Sequence, residues 1–113
     1  MVAPARVKVI ADSVCDVPFE LAQALHITLI PAVVNIGDQS YLDDGVQLTR
    51  EQFYDMMPRL ARLPTTSACP LGLCREVIGH HAALADHLLL IAAPAPLSGL
   101  YINCRIAAEE RAA

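Results

Sequence analysis

Strand-like and helix-like segments alternate along this chain, and that alternation restricts its fold more than any other feature. Val7 to Ala11 is a short β-branched run that stops at Asp12-Ser13, the pattern of a buried strand running into a polar loop. Pro18 opens a short helix through Leu25: its missing N–H falls where no partner is required, and Leu21, Ala24 and Leu25 share one face. Ile27 to Ile36 is the strongest strand signal, although Pro31 must lie at an edge or break it in two. Gly37-Asp38-Gln39 reads as a turn, with Ser40-Tyr41-Leu42 returning as a hairpin arm.

Thr49-Arg50-Glu51-Gln52 fits a capping box, and Phe53, Met56, Met57 and Leu60 follow it at helical spacing. Pro58 lies inside that stripe and predicts a kink or an early end. Leu63 to Cys69 reads as a loop of small hydroxyl residues. Pro70 then starts a helix to about Asp86 that buries Leu71, Cys74, Ile78, Ala82 and Ala85. Leu88 to Ala92 is apolar throughout, so it reads as a fourth strand buried on both faces; Leu97 to about Glu110 is a final helix. This order predicts one α/β layered domain over residues 1–113, with a mostly parallel sheet flanked by helices.

Composition narrows the function classes. With 55% hydrophobic residues, the 113-residue chain has enough apolar material for a real core, which excludes disorder. Its net charge of −4, with one lysine and scattered arginines, argues against nucleic acid, whose phosphates need clustered cations. No apolar run approaches the roughly 18 residues of a membrane span. The amino terminus lacks the pattern of a secretory signal, so the expected setting is the cytoplasm, where the four cysteines stay reduced.

Chemistry in an open α/β sheet sits beyond the carboxyl ends of the strands. Three loops qualify: Asp12-Ser13, Thr65-Thr66-Ser67 and Leu97-Ser98-Gly99. The last two place a hydroxyl beside an expected helix start, where free N–H groups favour an anion, and Gly99 allows close approach to the backbone. Thr66 and Ser98 are therefore candidates to hold a small carboxylate or phosphate, although both residue types also serve as plain caps and turns. The five glycines form neither a phosphate-binding loop nor a dinucleotide fingerprint, and Ser98 lacks a nucleophile elbow, so no cofactor is expected. Cys69, Cys74, His80 and His81 form a loose cluster without zinc spacing, so no metal is expected; Asp43-Asp44 reads as a solvated loop.

The order of several blocks then resembles the amino-terminal part of the DegV family, bacterial fatty-acid-binding proteins. The resemblance runs through Val9-Ile10-Ala11-Asp12-Ser13, Ile30-Pro31, Ser40-Tyr41-Leu42-Asp43, Leu63-Pro64-Thr65-Thr66-Ser67 and Leu97-Ser98-Gly99. It implies a Rossmann-like domain that binds a long-chain fatty acid in a tunnel, with Thr66 and Ser98 on the carboxylate. It also implies a separate fatty-acid kinase as partner, no catalysis by the chain itself, and a second, carboxy-terminal domain supplying the other tunnel wall. The open wall of a lone amino-terminal domain would invite homodimerisation. Ala68, Ala92-Ala93-Pro94-Ala95 and Leu100 depart from the family pattern and make the anion site drier. Two rival readings stand beside it: a small enzyme acting on an anion through Ser98 or an Asp12-centred site, and a degenerate domain kept for protein contacts.

Overall fold

The computed structural model describes residues 6–94 and 99–112. Six strands and four α-helices follow one another: β1 (Val7–Asp12), α1 (Phe19–Ala24), β2 (Thr28–Ile30), β3 (Val33–Ile36), β4 (Gln39–Leu42), α2 (Arg50–Met56), β5 (Thr65–Ser67), α3 (Leu71–Ala82), β6 (His87–Ile91) and α4 (Leu100–Ala112). The strands form two three-stranded sheets, one parallel in the order β2-β1-β6 and one antiparallel in the order β4-β3-β5. The expected α/β architecture is present, but the parallel arrangement is confined to the first sheet.

Local chemistry explains most boundaries. α1 begins after Pro18 and closes with His26 in the left-handed region at φ 57°. The Ile27 N–H then reaches Ala22 O at 2.8 Å and the His26 N–H reaches Gln23 O at 3.2 Å, a helix-ending pair of bonds that usually recruits glycine. Its buried residue is Ala22, while Leu21 and Leu25 stay about half exposed. The face expected from spacing was therefore misassigned, because six residues are too few to fix an orientation that packing decides. α2 shows the full capping box, with the Gln52 N–H on Thr49 Oγ1 at 3.1 Å and the Thr49 N–H on Gln52 Oε1 at 2.9 Å. It gives way to a tighter 3-10 turn at Met57–Arg59, where Pro58 lacks the N–H for another α turn.

Pro31 does break the long apolar run, and the two halves join different sheets. The buried Ser13 pins this crossing: its Oγ accepts the Ala32 N–H at 2.9 Å, and Ala32 O accepts the Asp43 N–H at 2.8 Å. One buried cluster unites Ile10 and Ile30 of the parallel sheet with Cys74 and Ile78 of α3 and Leu100, Cys104 and Ala107 of α4. Of the five α3 positions expected inside, Cys74 and Ile78 are fully buried, and the helix stops at Ala82. β6 corrects a second expectation: burial alternates along it, with Leu89 52% and Ile91 48% exposed. It is an edge strand among the described residues, with α3 and α4 packed over one face only.

Candidate functional site

The segment read as a loop at 63–69 contains a strand, β5, and Thr66 sits in its middle, paired with Val34 of β3. The correction has a physical basis: two threonines and a serine are good edge-strand residues, and their small size hid the pattern. Thr66 is thus not at a helix start, since α3 begins at Leu71 with Pro70 as its cap. Alternation along the pleat puts Thr66, Val34 and Tyr41 on one face. On the other face the Asn35 side chain donates to Ser67 Oγ at 2.8 Å and accepts from Ser40 Oγ at 2.8 Å. That relay holds the register which turns Thr66 toward its cavity; a slip of one residue would turn it away.

The cavity has a volume of about 300 Å³. Val14, Val34, Leu48, Phe53 and Pro64 give it apolar walls, while Thr66, Ser13, Tyr54 and Arg50 bring polar groups to it, as do Asp16 and Asp43. Such a mixture, mostly apolar with a few placed polar atoms, is typical of a small-molecule site. The sequence signalled Thr66 and placed Ser13 in a candidate loop. Arg50 gave no signal, because inside the capping box it reads as an ordinary first-turn residue. Ser98 lies outside the described residues.

Asp12, the centre of the enzymatic alternative, is 1% exposed. Its carboxylate accepts the Ala93 N–H and, at 3.3 Å, the Cys15 thiol. Burial, then the bond to Asp12, raises the pKa of the Cys15 thiol and keeps it protonated. The other three cysteines are buried: Cys69 and Cys104 are both pushed up to about 12 by burial and by neighbouring Cys74. All four are free thiols. We expect 5,5′-dithiobis(2-nitrobenzoate) at pH 8 to modify at most Cys15 in the native chain and all four cysteines in guanidinium, because attack requires thiolate. Rapid native labelling of more than one thiol would contradict this packing. His80 and His81 stack edge to face, and His81 Nε2 lies 3.1 Å from Thr28 Oγ1, away from the cysteines with which the sequence loosely grouped them. Among the described residues no three His, Cys, Asp or Glu side chains converge as a metal site.

Residues 6–112 match the DegV family, described as uncharacterised proteins. The chain belongs to the DegV family. A DegV domain-containing protein of Caldanaerobacter subterraneus subsp. tengcongensis is 29% identical over 104 residues, covering 92% of this chain and 36% of that protein. The fatty-acid-binding DegV family protein of Thermus thermophilus superposes with a TM-score of 0.80 at 28% identity, over 93% of this chain and 37% of that one. A stearic-acid-binding protein of Eubacterium ventriosum gives 0.81 at 26% identity, over 93% and 36%. The chain thus spans a little over a third of the length of these DegV relatives. No helix among the described residues is long and apolar enough to cross a membrane.

Proposed function

We propose that this chain is the amino-terminal, Rossmann-like domain of a DegV-type protein and binds the carboxylate end of a long-chain fatty acid without catalysis. The observation that carries the reading is Thr66 on the wall of a mostly apolar cavity, in a fold whose solved relatives bind fatty acids. Thr66, together with Ser98, holds the carboxylate, and the apolar walls receive the first part of the tail. Each buried methylene contributes about 0.8 kcal/mol, so a tail of about 14 methylenes needs far more enclosure than this cavity offers. A carboxy-terminal domain, or a second copy of this chain, supplies the remaining wall.

Three further points complete the proposal. The chain works in the cytoplasm and presents its acid to a partner kinase that modifies the carboxylate. Asp12 is committed to the Ala93 N–H and a thiol, and the Cys15 thiol is held protonated, which supports binding over catalysis. The half-exposed Leu89 and Ile91 on edge strand β6 support homodimerisation when the chain stands alone, since an uncharged apolar edge invites pairing. Native mass spectrometry followed by lipid extraction tests the whole. A fatty acid retained at one per chain or per dimer is the expected result; a lipid-free protein after loading with stearate would sink the reading.

A further inference from the structure

Arg50 stands in the site without an ion-pair partner among the described residues. Its guanidinium carbon lies 4.5 Å over the Phe19 ring, and the side chain borders the Thr66 cavity on one side and a second hollow on the other. Four carboxylates line these two spaces, Asp16 and Asp43 in the first, Glu20 and Glu51 in the second. Yet the ion pairs among the described residues join Arg6 to Asp86, Arg75 to Glu110 and Arg105 to Glu109, and none includes Arg50. Its Nη2 is buried and has no hydrogen-bond acceptor among the described residues. A buried charged donor left unmatched is costly, and such a group calls for an explanation in terms of what completes it.

Resting on the function proposed above, we propose that Arg50 is the counter-charge for the ligand's carboxylate in the Thr66 cavity. The stacking on Phe19 keeps the planar guanidinium close to its resting position, so a small turn about the side-chain torsions presents the fork of donors that suits a carboxylate. Thr66 and Ser13 add hydroxyls: Ser13 Oγ accepts the Ala32 N–H, while its own hydrogen is donated to no group among the described residues. Asp16 and Asp43 oppose an anion, but Asp16 is exposed and water screens its repulsion. The arrangement selects an ionised head over a neutral one of the same tail.

The test compares stearate with octadecanol, which shares the tail and lacks the charge, on the 113-residue chain and its Arg50→Gln, Arg50→Met and Arg50→Lys variants. Thermal melts confirm that each variant is folded. Arg50→Gln and Arg50→Met should weaken stearate binding about ten-fold or more, leave octadecanol binding unchanged, and Arg50→Lys should recover most of the loss. Unchanged stearate affinity in folded Arg50→Gln and Arg50→Met overturns the assignment of Arg50 alone. Equal losses for acid and alcohol also overturn it, by making the residue a packing element. A wild-type chain that binds neither probe overturns the function and this inference together.

Discussion

Thr66→Val should reduce stearate affinity roughly ten- to one-hundred-fold while leaving the melting temperature nearly unchanged. Valine has almost the shape of threonine and at least its preference for strands, so β5 keeps its place beside β3. The register is held by the Val33, Val34 and Asn35 pairings and by the Asn35 bonds to Ser67 and Ser40, none of which involves the Thr66 side chain. What disappears is one hydroxyl donor toward a carboxylate, and a hydrogen bond to a charged group contributes about 1.5–3 kcal/mol. Titration of delipidated protein with stearate measures it. Unaltered affinity in a folded Thr66→Val chain would remove Thr66 from the carboxylate site. Adding Ser98→Ala to the same chain should abolish retention of fatty acid through purification.

Gly45→Val should be the most damaging single substitution outside the core. Gly45 has φ +75°, where a side chain strains the backbone, and a Cβ there would lie 2.9 Å from Phe19 Cδ2. The ring must shift to make room, and shifting it disturbs the Arg50 guanidinium stacked on it at 4.5 Å. Backbone strain costs about 1–2 kcal/mol and overpacking about 1–3 kcal/mol. Against a total stability of about 5–15 kcal/mol, this lowers the melting temperature by on the order of 10 °C or more. Gly37→Val is the matched control: φ is +59°, but nothing among the described residues lies within 4 Å of its Cβ position, so it carries the strain without the clash. Equal losses for the two variants in thermal circular dichroism would refute the steric half of the argument.

The two substitutions also show where sequence reasoning succeeds. The Gly37 turn, the Thr49–Gln52 box, the early end of α2 just before Pro58 and the start of α1 after Pro18 are set by contacts within about four residues, and each is present in the structure. Gly45 differs: it lies in a polar loop whose sequence says nothing of Phe19, and only the fold brings that ring against it. The expectation for Thr66 rests on a helix start, whereas the structure places it in an edge strand.

From sequence alone came the alternating elements, the α/β class and the capping chemistry, because periodicity, caps and turns are local. Tertiary structure alone decided that Ile27–Ile36 splits between two sheets, that β6 keeps one face open, and that Arg50 stacks on Phe19 while lining the same cavity as Thr66. These depend on pairings between residues far apart in the chain, where the same apolar strand or lone arginine satisfies several arrangements locally. Burial and hydrogen bonding across the whole molecule select among them.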